Sequence, residues 1–284
     1  EVIQHSMITK SIEKAQMKVE ENNFGVRKRL LEYDDAINSQ REVIYKRRRH
    51  ALFGERLAVD IANTFQDTSS LLISTFKPAN DFEGFKLELI RYFAINSPFT
   101  EDEFASKKAP ELSEELYQTA LKHYQDKVTR IGEQAMPIVT HIHNDPNAKF
   151  EDMMIPFTDG QKGIQIKVNI ADAFDSEGKE IITTLEKSIS LAIIDEAWKV
   201  HLREMDSLKS SVQNAVYEQK DPLLIYKMES FNLFTSMLAE VNKDIISFLS
   251  KAELPARQEQ EQAQQPQQPQ EIELEEVVVE ATKP

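Results

Sequence analysis

Residue types able to bind a metal or move a proton are thinly scattered in this chain. His141, His143 and Asp145, in the run THIHND, form the one cluster with ligand-like chemistry, since two imidazoles and a carboxylate can hold a divalent cation. The run reads more simply as a polar connection into a Pro-rich segment, so a metal hydrolase centred on His141 and His143 is the weakest functional class. Asp34-Asp35 and Glu101-Asp102-Glu103 are adjacent carboxylates. Neighbours on a helix diverge instead of converging on one substrate, which places these acids on solvated faces or helix starts. No G-x-x-x-x-G-K-[ST] or G-x-G-x-x-G run occurs, so nothing in these residues cradles a triphosphate. No catalytic residue, metal ligand set or cofactor is assigned to the chain itself.

The run Lys46-Arg47-Arg48-Arg49-His50 is basic. A favourable interaction with a helix C-terminus, plus solvation, explains it more simply than a functional contact. Trp198, the sole tryptophan, stands with Leu202, Met205, Leu208 and Val212 at steps of three and four, the pattern of a packed helix face. Tyr217 differs, because it falls where this period fades, between Ser210 and Lys220. There an aromatic ring either packs down as a turn residue or offers a broad face to a passing chain without demanding a sequence.

Helices must position these residues. After the fading stretch Asp221 offers an N-cap oxygen and Pro222 a first helical position. Phe231, Phe234, Leu238, Val241, Ile245 and Phe248 then step by three and four. The two stripes can zip into an antiparallel pair packed through Trp198, Leu202, Met205, Phe231 and Phe234, with Val216, Tyr217, Gln219 and Lys220 at its tip. From Val2 to His50 there is almost no helix breaker apart from Gly25 and the preceding Asn22-Asn23. Ile8, Ile12, Ala15 and Val19 form a stripe that Leu30, Tyr33, Ile37 and Ile44 continue. A helix of ~45 residues, bent at most near Gly25, would reach about 65 Å. It is a strut whose apolar stripe other elements must cover along its length.

Helical periodicity returns over 55–76, 82–94 and 113–136, interrupted at Lys77-Pro78, Ser97-Pro98 and Ala109-Pro110, with a helix start predicted at Ser113. Beyond Pro137 the prolines and glycines thicken. Ile164, Ile166, Val168 and Ile170 alternate with polar neighbours as a half-buried strand does, with 137–142 and 153–157 as possible partner strands. From Glu253 the chain turns to Gln, Pro and Glu, the composition of a disordered acidic tail, in which Ile272, Leu274 and Val277 to Val279 could add a strand to an exposed sheet edge.

The 284 residues carry 29% charged residues, seven glycines and no cysteine, for a net charge of −14. Such a balance disfavours a nucleic-acid surface and excludes disulfides and thiolate zinc sites. No run approaches the ~20 apolar residues of a spanning helix, so the chain reads as soluble. It opens on Glu1 already inside a helical pattern, as a piece of a longer protein would.

Two long blocks, EENNFGVRKRLLEYDDAINSQREVIY at Glu21 to Tyr45 and DEAWKVHLREMDSLKSSVQNAVYEQKDPLLIYKMESFNLF at Asp195 to Phe234, together resemble the SecA family, the motors of bacterial protein export. The resemblance implies a long scaffold helix, an inserted helical wing and an antiparallel two-helix finger; with the alternating segment after Pro137, the chain reads as mainly α with a small β element carried by the wing. On this reading 1–54 is the first part of the scaffold, 55–136 the wing and 137–184 a β-containing extension, where the sequence departs most from the family pattern. Residues 185–252 form the second part of the scaffold with the finger, and 253–284 the tail.

The resemblance further implies that Tyr217, with Val216, Gln219 and Lys220, touches preproteins at the SecYEG channel. It makes Arg27, Arg29, Tyr33, Asp34 and Asp35 scaffold contacts to the parent's nucleotide-binding and preprotein-binding domains. The chain would have no turnover of its own, with ATP and magnesium bound elsewhere in a protein-translocating ATPase. The parent would be cytoplasmic and peripheral on the inner membrane, touching its anionic surface, and a homodimer is possible. The alternative is a free-standing helical adaptor that binds partner helices through its long stripes, with no motor role.

Overall fold

The computed structural model describes residues 6–54, 56–145, 150–212 and 221–255. Its first element, α1 (Ser6–Phe53), is one helix of 48 residues, about 72 Å long, unbroken through Gly25. Four helices follow: α2 (Leu57–Phe76), α3 (Phe82–Phe93), α4 (Glu101–Ser106) and α5 (Ala109–His143). A hairpin of β1 (Asp152–Thr158) and β2 (Gly163–Asn169) and a short α6 (Ile170–Asp175) lead to α7 (Lys179–Ser211) and α8 (Pro222–Lys251). The chain is thus mainly α with a small β element.

Local chemistry sets the element starts. Asp81 accepts from the Gly84 amide, and Thr100 and Glu103 form a reciprocal capping box at α4. That box is the role of the Glu101-Asp102-Glu103 cluster: acids at a helix start. Asp221 accepts from the Leu223 amide and Pro222 follows, as the sequence predicts for α8. Gly178, at φ +84°, precedes α7 and brings its base against α5, where an added Cβ would lie 3.5 Å from Gly132 Cα.

Two expectations in the middle of the chain are corrected. Residues 137–142 are the last turns of α5, not a strand, because Ile131, Ala135 and Val139 continue the buried helical stripe across Pro137. The same helix begins at Ala109, four residues before Ser113, with Pro110 in its first turn where a missing N–H costs nothing. The strand partner is β1 alone among the described residues, in antiparallel register Ile155↔Ile166 and Phe157↔Ile164. Ile155, Phe157, Ile166 and Val168 face inward, and Ile170 opens α6 instead of ending the strand.

One apolar cluster runs from Ile44 of α1 through α2, α3, α5 and the hairpin to Phe248 and Leu249 of α8. Its densest part is aromatic, with Phe85 stacked on Phe104 at 4.8 Å and Phe65 against Tyr124 at 5.3 Å. Lys127 of α5 is 8% exposed and donates to the Ser250 carbonyl at 2.9 Å, capping the C-terminus of α8 from a neighbouring helix. These contacts fix the base of the α7–α8 pair.

Coverage of the strut is uneven. In the second half of α1, Gln40, Ile44 and Ala51 are buried where the helix packs on the α7–α8 pair. In the first half Ile8, Ile12, Met17, Val19 and Phe24 are all exposed, Ile12 at 53% and Phe24 at 63%. The expected cover along the full stripe therefore holds for half of its length among the described residues.

Candidate force-transmitting hairpin and its strut

The helices α7 and α8 run antiparallel and pack along their length. Trp198, Met205 and Phe234 are buried, and Leu202 packs against the same core from a partly buried position. Phe231 does not join them: it is 67% exposed. Stepping back four residues from Phe234 turns the helix by ~40°, whereas stepping back three turns it by ~60°, so Ser230 takes the inward place. The tip residues Val216, Tyr217, Gln219 and Lys220 lie outside the described residues.

Near that tip a second cluster joins hairpin to strut. Met205, Val212 and Tyr226 are buried there against Tyr33, Ala36 and Ile37 of α1. The Tyr33 and Tyr226 rings meet at 4.7 Å, tilted by 60°. Burial pushes the Tyr226 phenol up to about 12, with Asp34 and Asp206 adding to the shift. Asp34 faces Lys209 of α7 at 3.6 Å. Tyr33 and Asp34 thus turn towards the hairpin, while Arg27, Arg29 and Asp35 stand exposed on the strut.

Midway along, three side chains form a buried polar tie. Gln40 of α1 donates through Nε2 to the Ser230 carbonyl of α8 at 3.0 Å, and its Oε1 lies 2.8 Å from His201 Nε2 on α7. Because the amide nitrogen is committed to Ser230, Oε1 must accept, which fixes the proton of His201 on Nε2. The ring is sandwiched by Trp198 at 5.4 Å and Phe234 at 5.7 Å, and its Nδ1 has no hydrogen-bond partner among the described residues. Burial pushes the His201 pKa down, against an opposing pull from Glu204, so the imidazole is held neutral.

The basic run at the end of α1 is split among faces. Arg47 turns inward to the Asn242 carboxamide and lies near Asp60 and Asp67. Arg48 pairs with Asp195 of α7, Nη2 to Oδ2 at 2.9 Å, and His50 Nδ1 meets Asp60 at 3.0 Å. Lys46 and Arg49 remain exposed. Two of the five basic residues therefore tie the strut to the hairpin, a role the helix-dipole reading did not include.

Gln40, His201, Ser230 and Lys127 escaped the sequence reading. His201 carried a signal, since it falls on the stripe of Trp198 and Met205 at steps of three and four. A polar residue on an apolar face is a candidate for a buried hydrogen bond. Gln40 sits among polar neighbours in sequence and Ser230 directly before Phe231, so only the packing reveals them.

Along the flank of the hairpin a groove of about 700 Å³ lies between α7, α8 and β2. Its floor is Ile164, Ile193, Val200, Leu233 and Met237, and Glu196, Glu204, Glu240 and Asp244 stand around it. An apolar segment bearing positive charge fits that chemistry. The His141 to Asp145 run holds no comparable site. His143 lies flat on Phe174 at 4.2 Å, and no group of three metal-ligating side chains occurs among the described residues. Among the same residues no helix is long and apolar enough to cross a membrane.

Comparison with known proteins gives this arrangement a context. The family model for the SecA wing and scaffold domain matches residues 2–253. A protein translocase subunit SecA of Christiangramia forsetii is 58% identical over 256 residues, 90% of this chain and 23% of that protein. The corresponding protein of Flavobacterium psychrophilum is 54% identical over 258 residues, and that of Parabacteroides distasonis 52% over 259, each covering 91% of this chain and 23% of the relative. The chain therefore spans about a quarter of the length of the curated relatives it matches.

Proposed function

Because the chain belongs to the SecA family through its wing and scaffold domain, we propose that it couples ATP-driven movement of the parent's motor domains to displacement of preproteins through the SecYEG channel. The observation that carries this reading is the asymmetry of the strut. One half of α1 is fastened to the hairpin by the Tyr33–Tyr226 contact, the Gln40–His201–Ser230 tie and the Arg48–Asp195 pair. The other half holds out an apolar stripe that nothing among the described residues covers. A rod grasped at one end and loaded at the other transmits displacement, because an α-helix resists bending where no Pro or inserted side chain interrupts its ladder.

In this reading the parent's nucleotide-binding and preprotein-binding domains cover Ile8 to Phe24 and use Arg27, Arg29 and Asp35. Hydrolysis of magnesium-bound ATP shifts α1, and the tip bearing Tyr217 pushes the polypeptide at the channel mouth. The acidic, apolar-floored groove along the hairpin offers a second contact for a basic, apolar segment. The parent works at the cytoplasmic face of the inner membrane, where its anionic surface is a further contact. The test is Tyr217→Ala in the full-length protein, with translocation and ATPase measured together. Translocation is expected to fall by about tenfold or more with ATPase largely kept; unchanged translocation would remove the contact role.

A further inference from the structure

The basic residues not used in fastening the strut form a face of their own. Tyr45, Lys46, Arg49, Leu52 and Phe53 recur at helical spacing along the last turns of α1, and Arg56 follows directly before α2. All are exposed, Phe53 at 63% and Leu52 at 60%, and the Arg49 guanidinium lies 5.8 Å over the Phe53 ring. In a chain of net charge −14 this is a cationic stripe interleaved with apolar and aromatic side chains. Lys46 and Arg56 have no carboxylate partner among the described residues.

We propose that this stripe is the docking surface for the chain's own acidic segment at 271–280, EIELEEVVVE. That segment lies beyond the described residues and beyond the family match, which ends at residue 253. It interleaves five glutamates with five aliphatic residues and carries no base, which makes it complementary to the stripe in both charge and apolar content. Its reach is adequate. A Cβ on Gly54, next to Phe53, would touch Lys187 of α7, and two residues on Ile189 lines the same groove as Phe248 near the end of α8. The fifteen residues of 256–270 span roughly 20 Å as a random coil and up to about 50 Å extended.

The competing seat is the outer edge of β1, and it is interrupted. Glu253 exchanges both backbone hydrogen bonds with Thr158. Continuing that antiparallel register sets Pro255 opposite Pro156. Neither has an N–H to give, so that register loses the next pair of ladder hydrogen bonds.

The docking stands or falls independently of the motor reading, and the test uses the full-length protein with its native cysteines replaced. Glu42→Cys, on the same face as Lys46 and removing an acid from it, is paired with Val278→Cys and oxidised. A control pair joins Leu87→Cys, exposed on α3, to Val278→Cys. The first pair is expected to form an intramolecular disulfide at least roughly fivefold faster than the control, the advantage shrinking as salt rises. Lys46→Glu, Arg49→Glu and Arg56→Glu together should remove the advantage. Adding Glu273→Lys, Glu275→Lys and Glu276→Lys should restore it, with circular dichroism unchanged throughout because every substituted position is at the surface or in the tail. Equal rates for both pairs, disulfides only between molecules, or insensitivity to the charge reversal would each overturn the proposal.

Discussion

His201 shows how one side chain can hold two helices against a third. Its Nε2 proton goes to Gln40, its faces go to Trp198 and Phe234, and burial lowers its pKa. A histidine whose folded value is lowered contributes stability that is complete above its ordinary value of 6.5. That contribution is lost as pH falls below 6.5, because the unfolded chain then takes up the proton first. His123, lowered by burial and by Lys127 and Arg130, adds the same sign, while Glu186, raised by burial, acts oppositely above its ordinary 4.5. Comparing wild type with His201→Gln isolates the one residue. In urea unfolding from about pH 7 to about 5.5 the variant should lose stability less steeply than wild type. Gln40→Ala leaves the His201 N–H without an acceptor inside the core and should cost about 1–3 kcal/mol at pH 7 in the same measurement.

At the scale of elements, the α7–α8 pair is stabilised by positions that the helical phase selects. Met205 is fully buried in the cluster beside Tyr33 and Tyr226, so Met205→Ala should cost about 2–4 kcal/mol. Phe231→Ser, at a position 67% exposed, should change stability by about 0.5 kcal/mol or less. Thermal unfolding distinguishes the two. The contrast also marks what the sequence can and cannot tell. Strong local signals were legible: the Asp221-Pro222 start, the alternation of Ile164 to Val168, and the uninterrupted run that becomes α1. Phe231 and the segment after Pro137 were misread because an apolar residue one step off phase, or a proline in a last helical stretch, is decided by what packs against it. In α5 that is the continuing stripe through Ala135 and Val139. The Gln40–His201–Ser230 tie joins residues 161 and 190 positions apart, a relation no local period encodes.

Across the whole molecule the central feature is a long helix fastened to the hairpin along one half and exposed along the other. The apolar residues of its first half are exposed here, so Ile12→Asp with Val19→Asp should leave the thermal stability of this chain within about 0.5 kcal/mol of wild type. In the full-length protein the same pair places two carboxylates where the motor domains are proposed to seat. Burying them there costs several kcal/mol and should break the grip. The same substitutions test the adaptor alternative, in which the stripe binds some other helix and the motor has no need of it. The most direct measurement is the amount of preprotein translocated per ATP hydrolysed by the full-length double variant. A fall of about tenfold or more, with basal hydrolysis retained, is the expected result; translocation per ATP equal to wild type would contradict the strut as the path by which force reaches the hairpin.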